Sequence, residues 1–480
     1  MKRKRKPTYN QLLGIIEKLE AKIVELENKL TETQNKLADT EAKLAAANKD
    51  SRNSSKPPSS DIVKPKKKNK HGTKNSIGGQ TGHKKPEDKL TTNDADNVVE
   101  FHADILIDDP LLELVPDTEH PPKIIYQYEF VEKPVELTAY VSYPYRDLNS
   151  GDILYAPLPH EVEMAGILGP RLSAFAACLK GGIHSSYTGV EKILCFLGAD
   201  VCRATICNKI MKVADALACS TNELLQMLPT QPHLNIDESG HKDNPFDKPD
   251  GHPKHWIWVF VASTFTVFRI FRSRSTDVLR EVLGKNCAAI IGSDFYSSYK
   301  CFMKEANIKV QFCWAHLIRD IKFLSESSDK VTSNYGKRLL KLCRLIFHLQ
   351  RRRGELGEER FRRRMLRLKD KFLSTGRSSQ ASGAVDMVVR LKDFGEEYFL
   401  FLEHPEIEPT NNLAEQEIRH CVIDRRITQG TRGEAGQRWC ERIWTVLATC
   451  ARQKRNAFEF IAESVYAYYN NLPQPSLLPA

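Results

Sequence analysis

Three acids in this chain stand where carboxylates can cut a phosphodiester. His233-Leu-Asn-Ile-Asp237 reads as a strand bearing an acid, and Ala288-Ala-Ile-Ile-Gly-Ser-Asp294 reads as a buried strand ending on one. An acid among hydrophobic strand residues is costly unless a cation or a donor faces it. Magnesium suits such hard oxygen ligands and keeps waters for a substrate phosphate. Two ions about 3.5 to 4 Å apart would activate a water or a 3′ hydroxyl and stabilise the leaving oxygen of an in-line displacement. A third acid should come from a helix, and Glu415 in Pro409-Thr-Asn-Asn-Leu-Ala-Glu415-Gln-Glu-Ile-Arg419 is the candidate. Thr410, Asn411 or Asn412 can cap that helix, which puts Glu415 near its first turn. Glu417 is a rival, but it lies about 200° around the helix, so the two cannot face one site. Arg419, one turn after Glu415, could pair with it or touch the scissile phosphate. Each acid also has a plainer reading: a turn acid for Asp237, a helix cap for Asp294, half of a surface ion pair for Glu415.

The elements that must position these acids follow from the pattern around them. Trp256 to Phe271 supplies β-formers for a second and third strand, Ser275 to Leu283 has helical spacing, Ile308 to Cys313 gives a short strand, and Trp314 to Leu324 is helical again. That order predicts a mixed α/β layer with a leading hairpin, the arrangement of a ribonuclease-H-like fold. Alternation sends Glu238 to the face opposite Asp237, as a hydrogen-bond partner rather than a ligand. His316 and Arg319, in Phe312-Cys-Trp-Ala-His-Leu-Ile-Arg319, are candidates for contact with DNA or the metal site, against a structural histidine as the plain alternative.

Outside this segment the chain looks helical or open. Pro170 to Leu228 has helical spacing, and Val190 to Phe196, a turn at Gly198 and a helix opening at Arg203-Ala-Thr205 resemble a helix-turn-helix, with Arg203 a candidate DNA contact. Ordinary helical hairpins look the same. From Val331 to Leu402 a second helical block carries Arg351-Arg-Arg353 and Arg362-Arg-Arg364, which could line DNA or form a charged helix face. Between Val98 and Pro157, Lys123-Ile-Ile-Tyr-Gln-Tyr-Glu-Phe130 and Leu137-Thr-Ala-Tyr-Val-Ser-Tyr143 suggest a small antiparallel unit.

The N-terminal third points to self-association and a polyanion. Leu12, Ile16, Leu19, Ile23, Leu26 and Leu30, then Leu37 and Leu44, form a heptad seam, with isoleucine at a and leucine at d, which favours a parallel dimer; an amphipathic helix packed on its own protein is the plainer alternative. From Ile62 to Pro86 there are eight lysines and no acids, Lys66, Lys67 and Lys68 among them. No packed core can form there, so this linker reads either as an arm on phosphates or as a soluble tether. The 480 residues carry a formal charge of +10, as suits a nucleic-acid partner. All twelve cysteines lie at or after Cys178 and none stands in a C-x-x-C spacing, which argues against a secreted disulfide scaffold or a zinc ribbon. The longest apolar stretch, Trp256 to Phe268, is too short to span a bilayer, and no signal-peptide core follows Lys2 to Lys6. These features predict a cytoplasmic, nucleoid-associated protein.

Read in order, these residues resemble the insertion-sequence sixty-six family of transposases, specifically their large catalytic subunit. The resemblance runs through the zipper, Asn53-Ser-Ser-Lys-Pro-Pro-Ser-Ser-Asp61, Gly78-Gly-Gln-Thr-Gly-His83, Asp237-Glu-Ser, Ser293-Asp-Phe-Tyr-Ser-Ser-Tyr299, Cys313-Trp-Ala-His316 and Asn411-Asn-Leu-Ala-Glu-Gln-Glu-Ile-Arg419. It implies a DDE triad at Asp237, Asp294 and Glu415, magnesium or manganese as cofactor, binding to terminal inverted repeats and target DNA, and accessory proteins from the same element. The chain accordingly divides into a dimerisation coil over 1–50, a basic linker over 51–92, a small β-rich domain over 93–160 and a helical region with the candidate helix-turn-helix over 161–228. The catalytic core then occupies 229–330 and 403–427 around a helical insertion at 331–402, with a helical segment at 428–480. Family members usually carry a cysteine-based zinc segment after the Gly-Gly-Gln motif. This chain has no cysteine before Cys178, so no structural zinc is expected there. The other reading of the same features is a catalytically inactive, DNA-binding and self-associating protein derived from a transposase.

Overall fold

The computed structural model describes residues 18–33, 36, 40, 91, 93, 98, 130, 131, 133–146, 153–244 and 254–478. Two compact units arise, one of Met1–Pro65, Tyr140–Leu194 and Asp200–Ala480, the other of Lys66–Ala139 and Cys195–Ala199. Lys66, Lys67, Lys68, both glycine- and serine-rich motifs of the linker and the run Lys123 to Glu129 lie outside the described residues. Residues 18–33 are helical (α1), and Leu19, Ile23, Leu26 and Leu30 along its seam are all more than half exposed. The expected strand over Leu137 to Tyr143 is not one. The antiparallel pair here is β1 (Pro144–Arg146) with β2 (Ile153–Tyr155), and Leu137, Tyr140 and Tyr143 are exposed, so no buried face holds that run in a ladder.

A helical layer follows: α2 (His160–Ala165), α3 (Pro170–Gly181), α4 (Tyr187–Phe196), α5 (Arg203–Ala216) and α6 (Ala218–Met227), with α16 (Ala457–Tyr469) returning from the far end of the chain to pack on α3 and α5. By length and composition the stretch His160–Gly181 could cross a membrane. It is broken between α2 and α3 at Gly166, which has φ +57°, and α3 buries Ala174, Ala176, Ala177 and Leu179. Helix α5 turns its own cations inward: Lys209 donates to Ala165 O and Lys212 to Met164 O, carbonyls at the open end of α2.

The site is built on a five-stranded mixed sheet. Its strands are β3 (His233–Lys242), β4 (Lys254–Val261), β5 (Thr266–Phe271), β6 (Ile290–Ser293) and β7 (Val310–Phe312), in the spatial order β5-β4-β3-β6-β7. The first three are antiparallel neighbours, whereas β6 runs parallel to β3 and β7 parallel to β6. The parallel strands are joined by α7 (Thr276–Leu283) and α8 (Ser297–Ala306), and α9 (Trp314–Ser325) follows β7. Ser275 caps α7 by accepting from Asp277 N. Strand β4 is buried from Ile257 to Val261 because both faces are covered, which explains its unbroken apolar run. Edge strand β5 would leave its outward N–H groups bare. Three side chains of α15 (Glu434–Gln453) satisfy them instead, Thr449 accepting from Thr266 N, Thr445 from Phe268 N and Glu441 from Ile270 N.

Between α9 and α14 (Asn412–Ile427) lie α10 (Lys330–Arg351), α11 (Arg353–Leu356), α12 (Glu358–Arg377) and α13 (Val385–Phe394). Trp314, at the start of α9, joins them to the sheet: its ring lies 5.8 Å from Phe347, 5.2 Å from Phe372 and 5.1 Å from Phe399. Gly336 lets α10 touch α9 closely, since a Cβ there would stand 2.4 Å from Ser325 N.

Beyond β3 the loop 428–433 is held by a buried polar cluster in which Thr431 Oγ1 lies 3.0 Å from His241 Nε2 and donates to Asp243 at 2.8 Å, while Gln437 donates to Asp243 at 2.9 Å. Burial pushes His241 down to about 4, below its ordinary 6.5. Between pH 6.5 and 4 the unfolded chain therefore takes up a proton here that the native chain refuses, and this group withdraws stability as the pH falls. His241→Gln is expected to flatten the decline of Tm over that window. Parallel Tm curves for the two proteins from pH 7 to 4 would show the inference to be wrong.

Candidate active site

Asp237, Asp294 and Glu415 come from three elements that the fold brings together. The β3–β6 ladder ends at Asn235↔Gly292, and continuing that register sets Asp237 beside Asp294, two residues further on in each strand. Asp294 stands just past the end of β6 and accepts from Tyr296 N at 3.0 Å; Asp237 accepts from Glu238 N at 2.9 Å. Helix α14 packs across β3 and β4 and presents Glu415 in its first turn.

A chain of hydrogen bonds fixes where α14 begins. Cys313 N donates to Ser293 O, Asn411 N to the Cys313 sulfur, Trp314 N to Pro409 O, and the Asn411 amide to Ile236 O at 2.7 Å. The ends of β6 and β7 and the start of α14 are thereby tied to β3 one residue before Asp237. Asn411 occupies the expected N-cap position, but its side chain makes no capping bond: its amide nitrogen donates to Ile236 O of β3, and its Oδ1 is buried without a hydrogen-bond partner. Asn411 is 2 % exposed. Asn411→Ala is expected to leave that carbonyl unpaired in the interior, at about 1 to 3 kcal/mol of stability, and to loosen the placement of Glu415. A thermal melt checks this, and an unchanged Tm would refute it.

The three acids are crowded together electrostatically. Burial, together with the charges of Glu238, Asp294 and Glu415, raises Asp237 well above the carboxylate range. Burial also raises Asp294, and it raises Glu415 with the charge of Asp294 added, while Arg319 and Arg419 pull Glu415 back. Carboxylates crowded this way need protons or a divalent cation between them, and hard oxygen donors fit magnesium or manganese. Glu415 Oε1 is buried without a hydrogen-bond partner, an acceptor that such a cation would satisfy. Among the described residues, the set whose ligand atoms all lie within 4.8 Å of one another is Cys313, His316 and Glu415, not the three acids. Arg319 Nη2 lies 3.7 Å from the same Glu415 oxygen and works against a cation on that side of it.

His316 Nδ1 is 3.5 Å from Glu415 Oε1. Burial, then the neighbouring Arg319 and Arg390, push it down to about 3, so the imidazole is neutral near pH 7. Glu417 faces the other way and pairs with Arg452 on α15 at 2.9 Å. Glu238 is buried, takes Arg274 at 2.7 Å and accepts from Tyr299. Arg419 is exposed one turn from Glu415. Arg203 is not at this site. It opens α5, which packs on α3, α15 and α16, and it lies against Glu191.

Two arginines at the site escaped the sequence reading. Arg274, just before α7, stacks on Tyr296 at 3.7 Å and holds Glu238, and its charge reaches Asp294. Arg390 arrives from α13, pairs with Asp320 at 2.9 Å, stacks on Phe295 at 4.0 Å and also acts on Asp294. Neither sits in a motif; only folding reveals them.

The model of the IS66 transposase family matches residues 165–438. The chain belongs to the IS66 family of transposases. The matched span holds the whole five-stranded sheet, the helices α10 to α13 and all three acids of this IS66-family chain. A second model, of a family of unknown function, matches residues 4–89, which include the heptad seam and the basic linker. No curated protein matches the chain.

Proposed function

We propose that this chain is the catalytic DDE subunit of its element, with a ribonuclease-H-like core that cleaves DNA strands at the element ends and joins the 3′ hydroxyls to target DNA. The observation that carries the reading is the convergence of Asp237, Asp294 and Glu415, three electrostatically coupled acids on β3, at the end of β6 and in the first turn of α14. The strand order supports the fold assignment, since three antiparallel strands lead and two parallel strands follow through helices. In this reading 229–330 and 403–427 form the core and 331–402 is an insertion in it.

Asp237, Asp294 and Glu415 would hold magnesium or manganese. A divalent ion bound there supplies charge neutralisation to the phosphodiester and a lower pKa to the attacking water or hydroxyl. The chain's own contributions are positional. Asn411 sets Glu415, Arg274 with Tyr299 fixes Glu238 behind Asp237, and neutral His316 can donate or accept a hydrogen bond beside Glu415 without adding charge. Arg319 and Arg419 border the same acid and can meet the scissile phosphate. The exposed seam of α1 supports pairing with a second copy, and the partner DNA, with accessory proteins of the element, places the complex at the nucleoid in the cytoplasm.

The test uses the full chain with labelled terminal inverted repeats, a target plasmid and magnesium. Cleaved ends and joined products are expected, and chelation should abolish both. Binding without cleavage in either magnesium or manganese would instead identify an inactive, DNA-binding derivative.

A further inference from the structure

Between Lys330 and Arg377 the chain places sixteen lysines and arginines against four acids. That excess of twelve exceeds the +10 of the entire chain, so the remainder, basic linker included, is on balance slightly acidic. Within α10 the cations are also ordered. Lys330, Lys337, Lys341, Arg344 and Arg351 recur at intervals of seven, four, three and seven, on the face opposite buried Leu339, Leu342, Cys343 and Ile346. All five are exposed, and none makes an ion pair among the described residues. Some cations elsewhere in the insertion are answered, Arg353 by Glu358 and both Lys369 and Arg377 by Glu396, whereas Arg360, Arg362, Arg363, Arg364 and Arg367 of α12 are exposed and make no ion pair among the described residues. An unneutralised row of like charges a turn apart is unfavourable for the helix, and in α10 the row is aligned on one face beside α9.

This row leads toward the site. Arg344 and Arg351 share a groove with Lys322, Ile318, Leu340 and Phe347, between α10 and α9. Lys322 lies one turn beyond Arg319, which borders Glu415, and Phe347 packs on Trp314 at the start of α9. At 1.5 Å per residue the row spans about 30 Å, which matches about nine base pairs at roughly 3.4 Å each.

We infer that the outer face of α10, with the α9–α10 groove, is a track for the sugar-phosphate backbone of duplex DNA next to the scissile position. The inference rests on the nuclease reading given above, and it adds which surface grips the substrate. Contacts from lysines and arginines to phosphate carry no sequence information, so a grip made of them is indifferent to sequence and screened by salt.

The experiment measures fluorescence anisotropy of a labelled 25-base-pair duplex against salt, for the full-length chain and for Lys337→Gln/Lys341→Gln/Arg344→Gln. Loss of three phosphate contacts lowers the salt slope by about 2.7 and the affinity by about 10- to 100-fold at moderate salt. Lys337→Arg/Lys341→Arg should keep both. Should the triple variant melt early, Lys341→Gln alone is expected to lower the slope by about 0.9. An unchanged slope overturns the inference, as does a loss confined to single-stranded RNA or to an acidic protein. Asp294→Asn in the same series keeps the two readings apart. If that variant loses cleavage while the glutamine variant binds normally, the track fails alone; if it cleaves like wild type, the nuclease reading fails whatever the slope shows.

Discussion

Asp294→Asn is expected to reduce strand cleavage and joining by at least about 10³-fold while leaving duplex binding within about threefold. The substitution keeps the shape of the side chain and the acceptor for Tyr296 N, so the turn after β6 survives. What it removes is one of three coupled carboxylates and, in the proposed reading, a hard anionic ligand. Neutralising the developing charge and activating the attacking oxygen are together worth several kcal/mol, and each 1.36 kcal/mol is tenfold in rate. The raised pKa values of Asp237 and Glu415 give a second readout. Asp294 contributes to both shifts, so each is expected to titrate lower in the variant. Cleavage at the wild-type rate, measured with a single labelled end under single-turnover conditions, would remove Asp294 from the chemistry.

The second large effect separates two glutamates two residues apart. Glu415→Gln is expected to match the loss in Asp294→Asn, whereas Glu417→Gln should keep the rate within about threefold and lower stability by about 1 kcal/mol. The reason is where each side chain goes. Glu415 lies against His316 and Arg319 at the open end of the sheet, whereas Glu417 is partly buried against Arg452, which also reaches Thr266 on the edge strand. Glutamine at 415 keeps an acceptor beside His316 but no charge; glutamine at 417 gives up an ion pair remote from the acids. Equal loss of cleavage in both variants would mean that α14 is placed differently from what its contacts with β3 and α15 indicate. A Tm measurement alongside the rates guards against a simple unfolding effect.

The order of elements was legible because period and composition are local properties. His233 to Asp237, Trp256 to Phe271, Ser275 to Leu283 and Trp314 to Leu324 each fall on the expected strand or helix, within a few residues at the ends. The short strand at Ile308 to Cys313 shrinks to β7, since only three residues find ladder partners on β6. Where no buried face supported the pattern the reading failed: β-forming residues from Leu137 to Tyr143 remain exposed and unladdered, because propensity without packing does not make a strand. Likewise Asn411 looked like a helix cap, and its amide instead goes to Ile236 O, a carbonyl 175 positions away in the chain.

What the sequence determined by itself is which residue types are available and how each segment prefers to coil or extend: three acids in hydrophobic settings, a heptad seam, a basic insertion. What only the tertiary structure decided is which side chains share a site. It set Glu415 beside His316 and Arg319 and turned Glu417 to Arg452, brought Arg274 and Arg390 to the acids, turned the lysines of α5 inward and left those of α10 outward and unpaired. The reason is range: a helix or a strand is set by neighbours a few residues away, whereas burial, charge pairing and pKa depend on segments that meet in space only after the sheet has formed.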